Sequence, residues 1–291
     1  EKGYSQKRKS NAVSPTTFTL SDKEVEFQVN DMRSFEEFVG LGVMNDIPDA
    51  TTVAFFRERL RKANVTDELF KMFESYLRDQ GLEDRGGQII DATLVPVPKQ
   101  RNSREENKEI KANRLPDGWN ESPKRLQQRD LDARWVKKND INHYGYKNSI
   151  CIDAEHGFIR RFVVTPANIH DSQMLPMLLD PENQDDYVWA DSAYSGERFK
   201  DLLSLAGFEN RIHEKGSRNH PLSAAATERN SIRSQTRARV EHVFGCFATS
   251  MGGKFTRKIG LKKNKAWWSL KNLTFNFLRY LYLSSNSLVS I

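Results

Sequence analysis

Sulfur is scarce in this chain and long apolar runs are missing, and each shortage excludes a class of protein. Cys151 and Cys246 are the only two cysteines among 291 residues, and no CxxC pair occurs. A disulfide framework or zinc ribbon is therefore not expected, and a reducing, cytoplasmic home fits. No stretch of 18 apolar residues is present, so no membrane span is expected. The opening EKGYSQKRKSN lacks the apolar core of a secretory signal and an initiating Met, and the N-terminal region is read as incomplete. There is no GxxxxGK[ST] loop for ATP. With 37% hydrophobic and 29% charged residues, the composition is that of a soluble globular protein, long enough for one large domain and a smaller one.

The net charge of +6 is modest, but its distribution is uneven. Residues 211–265 hold 13 Lys and Arg against 3 Asp and Glu. A basic limb on an otherwise slightly acidic chain is the footprint of a polyanion partner, with a solvated lysine-rich face as the plainer alternative.

The first ~19 residues are polar and basic, as chain ends often are. Three helical patterns follow: one capped by Ser21 and running toward Phe38 and Gly40, one opened by Pro48-Asp49, and one capped by Thr66 and stopped by Gly81. Leu69, Phe70, Phe73, Tyr76 and Leu77 recur at helical spacing, which marks a packed bundle more than a DNA-reading helix. From Gln88 the period changes to two: Ile89, Asp91, Thr93 and Val95 share one face, Ile90, Ala92 and Leu94 the other. Residues 99–138 read as a hydrophilic loop with local helix. Strands are expected at 147–153 and 158–165 around a His156-Gly157 turn, then a helix SQMLPMLLD capped by Asp171. The strand YVWAD, the helix ERFKDLLSLAG, a strand FENRIH, the helix bearing Glu241, and a closing helix with Trp267, Leu270, Leu273, Phe277 and Leu281 complete the chain. The expected fold is α/β: an RNase H-like mixed-sheet domain over 85–291 behind a helical region over 1–84.

Three carboxylates stand out. Asp91 sits inside the apolar strand IIDAT, where an unpaired charge is costly; a solvent-exposed strand edge is the alternative. Asp191 closes the strand VWAD, at the end of a strand where α/β sites gather, although an Asp that merely starts a turn is common. Glu241 lies about 100° round the helix from Val240, at the margin of the Val240, Val243, Phe244, Phe247 stripe, with Arg237 one turn earlier. A surface Glu–Arg pair is the alternative there. Gaps of 100 and 50 residues separate the three, and two strand aspartates with a helix glutamate can converge on a pair of Mg²⁺ ions that cuts and rejoins phosphodiesters. HYGYKN adds His143, Tyr144, Tyr146 and Lys147, suited to bases and phosphate, or to packing. His170-Asp171 has the look of a metal pair, but a helix cap explains it more simply.

These blocks carry a resemblance. IPDATTVAFFRERL, IIDATLVPVPKQRN, DARWVKKN followed by HYGYKN, VVTPANIHDSQ, ADSAYSG, EKGSRNHPL, RARVEHVFG and LKNLTFNFLRYL, in this order, resemble bacterial insertion-sequence transposases of the DDE type, nearest the insertion-sequence-five group. The likeness implies that Asp91, Asp191 and Glu241 are the catalytic, metal-binding triad for two Mg²⁺ ions, with Mn²⁺ able to substitute. It places the family's basic residue on Arg237. Phosphate contacts are expected from Arg233, Arg237, Arg239 and Lys254, with His143, Tyr144 and Lys147. The implied partners are double-stranded DNA, as element terminal inverted repeats and target, and a second copy in a synaptic homodimer in the bacterial cytoplasm. Related transposases often carry Tyr seven residues before the Glu and Lys seven after; here Ser234 and Ala248 stand there, and Lys254 is the nearest substitute lysine. A domesticated DNA-binding protein and an RNase H-like nuclease or resolvase are the competing readings.

Overall fold

The computed structural model describes residues 20–38, 41, 47–217 and 220–287. The expected basic N-terminal tail, Gly40 and the limb's Arg218 lie outside them.

Helix α1 spans Asp22–Asp31, and the Ser21 side chain caps it by accepting from Glu24 N. The single helix expected through Phe38 is instead two. Met32 is extended at φ −116°, and α2 restarts at Arg33–Phe38. Asn30 bonds back to the Glu26 carbonyl at 2.8 Å, the local competition that makes Asn a poor interior residue. Helix α3, Ala50–Ala63, is capped by Asp49 as the sequence implies. Helix α4, Thr66–Asp79, starts one residue earlier than expected, with Thr66 buried inside it and no side-chain cap. Gly81, at φ +73°, turns the chain out, with Leu82 N bonded back to Leu77 O.

Six strands follow: β1 Gln88–Pro96, β2 Arg134–Lys138, β3 Ile141–Asp153, β4 Ile159–Pro166, β5 Tyr187–Ala190 and β6 Glu209–Asn210. Their order is β2-β3-β1-β5-β6, with β4 also on β3. β1 runs antiparallel to β3 but parallel to β5, which is parallel to β6. This is a mixed sheet of the RNase H-like kind. β2 and the first six residues of β3 fall outside the expected strands. Asn139 and Asp140, both at positive φ, join them in a two-residue hairpin of the type that matches strand twist. The rest of the hydrophilic excursion carries α5, Arg104–Lys111, closed by a Ser103–Glu106 capping box.

The expected helix after Ile169 shrinks to a 3-10 turn, Asp171–Met174, and one helical turn, Leu175–Leu178. Pro176 cannot donate to the preceding turn, so a longer helix does not propagate. Its cap is His170, whose ring accepts from Ser172 N, whereas Asp171 pairs with Lys147 at 2.7 Å. Helices α6 Glu197–Leu205, α7 Ala224–Thr249 and α8 Leu261–Ser287 complete the fold.

The strand alternation sorts the core into two layers. Ile89 and Val95 face a cluster with Phe70, Phe73 and Leu77 of α4, Val240, Val243, Phe244 and Phe247 of α7, and Trp268 of α8. Ile90, Val188 and Ala190 face a second cluster with Leu175, Leu178 and Leu203. Trp268, rather than the expected Trp267, is the fully buried indole, and Phe277 and Leu281 stay partly exposed. No described helix is long and apolar enough to cross a membrane. Asn276 holds α8 to the sheet by bonding both the N–H and the carbonyl of Ile159.

Asp130 ties the excursion to this frame. Its Oδ1 accepts from the buried Tyr146 hydroxyl at 2.6 Å and from Ala133 N, and its Oδ2 from Gly260 N. Tyr146→Phe should therefore lower stability by about 1.5–3 kcal/mol, the range for a hydrogen bond to a charged group. Urea titration with far-UV circular dichroism checks this, and an unchanged midpoint would remove Asp130 from its role as an anchor.

Candidate active site

Strand register brings the first two carboxylates together. β1 and β5 pair in parallel as Ile89 with Trp189 and Ile90 with Ala190. The next residues are Asp91, still on β1, and Asp191, just past the end of β5, where neighbouring strands lie about 4.8 Å apart. Both follow the side-chain alternation of Ile89 and Trp189, so both project to the face that α7 covers. Asp191 ends its strand and caps the 3-10 turn Ser192–Tyr194, accepting from Ala193 N at 2.8 Å.

Helix α7 supplies the third carboxylate. Its Val240, Val243, Phe244, Phe247 stripe is buried as the periodicity implies, which leaves Glu241 at the stripe's margin with its side chain 57% exposed. Arg237, one turn earlier, reaches Asp91 Oδ2 at 2.8 Å and Glu241 Oε1 at 3.6 Å. One guanidinium thus bridges the strand and helix carboxylates. Burial pushes the Asp91 pKa up to about 6; the Ala92 amide and Arg237 pull against it, and the charges of Asp191 and Glu241 add to it. The three carboxylates therefore feel one another. They are not closed into a tight cage: among the described residues the group of three His, Cys, Asp or Glu side chains with ligand atoms all within 4.8 Å of one another is Glu74, Asp84 and Asp180. That group lies behind α4, threaded by Arg160, which pairs with Asp84 at 2.7 Å and Asp153 at 3.2 Å.

The other expected residues divide. Lys254 donates to Thr93 Oγ1 at 2.9 Å, on the same face of β1 as Asp91. Burial lowers its pKa, with Glu241 opposing and Lys138 adding. Arg239 is exposed on α7 and donates to the Glu155 carbonyl at 3.5 Å. Arg233 is committed to the Ile212 carbonyl at 2.7 Å and to Glu214. His143 sits half-buried on β3 opposite Val136. The HYGYKN motif turns mostly inward. Tyr144 is buried against Trp135, with ring centroids 5.0 Å apart, and Tyr146 is fully buried, so neither ring is open to a base. Lys147 Nζ is engaged by Asp171 and the Ile169 carbonyl. The two tyrosines pack, as the alternative reading had it, because β3 is the central strand, with partners along both edges.

Two neighbours escaped the sequence reading. Thr93 receives Lys254; its alternation with Asp91 was the available signal. His213 continues the β5–β6 ladder, its N–H bonding the Ala190 carbonyl at 3.1 Å. No spacing rule marks it, because its place depends on strand order.

The donor set fits a divalent cation. Hard carboxylate oxygens on a rigid sheet and an adjoining helix are what Mg²⁺ or Mn²⁺ takes, and the cation that now offsets Asp91 is a side chain, Arg237, able to move. The transposase DDE domain family matches residues 83–277, and a second transposase domain, DUF772, matches residues 15–59. Among solved structures the chain is similar to the cryo-EM structure of a piggyBac transposase synaptic complex with hairpin DNA. That match has 11% identity and a TM-score of 0.43, covering 98% of this chain and 66% of that one.

The Asp91 shift has a signed consequence. Its pKa of about 6 in the fold, against the usual 3.8, means that ionisation costs stability. The cost is absent below pH ~4, grows between ~4 and ~6, and is complete above. Asp91→Asn should therefore be more stable than the natural protein at pH 7 without divalent metal, by on the order of 2 kcal/mol. The gap should close as the pH falls to 4. Denaturant titrations across that range test this; a pH-independent gap would contradict it.

Proposed function

The chain belongs to the transposase DDE domain family, and on that premise we propose that Asp91, Asp191 and Glu241 form the centre that cleaves insertion-sequence ends and joins their 3′-hydroxyls to target DNA. The observation that carries this reading is the parallel pairing of β1 with β5 up to Ile90 and Ala190, the residues just before Asp91 and Asp191, with Arg237 bridging Asp91 and Glu241. Mg²⁺, with Mn²⁺ able to substitute, would supply Lewis-acid activation of the attacking oxygen and charge stabilisation of the leaving one.

In this reading Asp91 and Asp191 hold the ions from the sheet and Glu241 completes the set from α7. Glu241 is the most exposed of the three and the freest to adjust. Asp91 must be ionised to serve as a ligand. Arg237 favours the ionised form and would be free to turn toward phosphate if a divalent ion took its place at Asp91. Lys254, held at Thr93, offers its ammonium beside the same face and takes the place of the lysine that Ala248 does not provide. Arg239 contacts the backbone from the exposed side of α7. Because cleavage and joining are both in-line displacements at phosphorus, one site serves both. The same reading assigns the partners: double-stranded DNA as terminal repeats and target, and a second copy in the synaptic complex, in a bacterial cytoplasm. The motif blocks point to the insertion-sequence-five group, and DNA binding by the helical region over 1–84 belongs to the same reading.

Asp191→Asn should abolish cleavage of element ends in Mg²⁺ or Mn²⁺ while DNA affinity stays equal or rises, because a charge that repels phosphate is gone. Full cleavage by this variant would refute the assignment. Strand-transfer products on a supercoiled target separate a transposase from an RNase H-like nuclease or resolvase. Arg239→Gln should lower the log–log salt slope of DNA binding by about 1 for every sequence alike; an unchanged slope would make that arginine a solvated bystander.

A further inference from the structure

The row of site residues extends past the two aspartates. β5 pairs with β6 in parallel, Val188 with Asn210. The ladder runs on beyond β6 through Arg211 N to Val188 O and His213 N to Ala190 O. Counting forward in that register, His213 stands level with Asp191, as Asp191 stands level with Asp91. Three adjacent parallel strands thus place Asp91, Asp191 and His213 side by side under α7.

The protonation of the ring can be read from its neighbours. Ser234 Oγ donates to the Asn230 carbonyl at 2.8 Å, so its one proton is committed. Its contact with His213 Nε2 at 3.3 Å must then be one in which Nε2–H donates and Ser234 accepts. That leaves Nδ1 with a free lone pair, and among the described residues no donor meets it. Burial, then Arg237 and Arg233, lower the His213 pKa, with Asp191 opposing. The loop bearing His213 is itself strapped to α7: Glu214 N donates to Asn230 Oδ1 and Asn230 Nδ2 to the Glu214 carbonyl, at 2.9 and 3.0 Å. Arg233 binds the Ile212 carbonyl.

We propose that His213 is a fourth ligand of this centre, giving its Nδ1 lone pair to the divalent ion held by Asp191, with Ser234 as the positioning residue that fixes its tautomer. This rests on the carboxylate reading above. It also gives Ser234 a role of its own: where related transposases often carry a tyrosine, this chain uses the position to orient a nitrogen ligand. A second-layer hydrogen bond of this kind commonly sets which imidazole nitrogen binds metal.

Calorimetric titration of the DNA-free protein with Mg²⁺ alone and with Co²⁺ alone tests it, because imidazole favours Co²⁺ far more than Mg²⁺. His213→Ala should weaken Co²⁺ about 10-fold or more and Mg²⁺ by less than about 3-fold. His213→Gln, which keeps bulk and polarity, should behave alike and guards against a folding artefact. Ser234→Ala should lose part of the Co²⁺ affinity and alter the visible absorption of the bound Co²⁺. Unchanged Co²⁺ affinity in both His213 variants would overturn the proposal, as would equal losses for the two metals. If His213→Ala weakens Co²⁺ but Asp191→Asn does not, the histidine binds elsewhere and the proposal fails. If Asp91→Asn and Asp191→Asn both leave Mg²⁺ and Co²⁺ untouched, the carboxylate reading fails with it.

Discussion

A carboxylate inside a β-sheet cannot stand alone, and much of this structure answers to that constraint. Asp91 lies on β1 between apolar neighbours, with its side chain only 14% exposed. Moving a charge into such a place costs several kcal/mol unless a partner offsets it. Arg237 is that partner, and it arrives from a helix 146 residues later. The buried Val240, Val243, Phe244 and Phe247 stripe seats α7 over β1 and so brings the arginine to Asp91. With α7 fixed, Glu241 falls beside the same strand, and Ser234 and Asn230 meet the loop that carries His213. Arg237 thus offsets only part of the cost of burying Asp91, and it is a cation that a metal could replace.

The sheet explains why the site lies where it does. Parallel pairing of β1 with β5 and of β5 with β6 sets residues level rather than staggered by a turn, so one count along each strand finds the whole row. The antiparallel half of the sheet, β2, β3 and β4, provides the rigid backing. Its central strand β3 buries Tyr146 on Asp130 and draws Asn148 to Asn272 of α8 at 3.0 Å. A second acidic group, Glu74, Asp84 and Asp180, shows the contrast. Burial and the neighbouring Asp180 raise the Asp84 pKa to about 7 against the pull of Arg160. With Arg160 and Arg78 threaded through it, that group is read as a clamp joining α4, β4 and the turn after Leu178.

Local pattern was enough wherever local forces decide. The alternation around Asp91, the apolar stripe of α7 and the caps at Ser21 and Asp49 were legible because they depend on neighbours a few residues away. What pairing and packing decide was not legible. β2 hid in a hydrophilic segment because only one of its faces meets the core, although Asn139-Asp140 was a usable turn signal. Tyr144 and Lys147 looked available to DNA until β3 proved central. Asp171 looked like a helix cap until Pro176 shortened the helix and Lys147 claimed the carboxylate. His213 was invisible because its position depends on the order of three strands. Of the basic limb, part is spent inside the fold, where Arg233 holds a carbonyl, Arg237 a carboxylate and Lys254 a threonine, while Arg239, Arg257, Lys262, Lys263 and Lys265 stay exposed.

The most direct test of the central claim is a crystal structure of the protein soaked in Mn²⁺, with the metal located by its anomalous signal. The account predicts Mn²⁺ density between Asp91 and Asp191, with Glu241 within reach and Arg237 withdrawn from Asp91. Mn²⁺ at Glu74, Asp84 and Asp180 instead, with Arg237 still bound to Asp91, would contradict it.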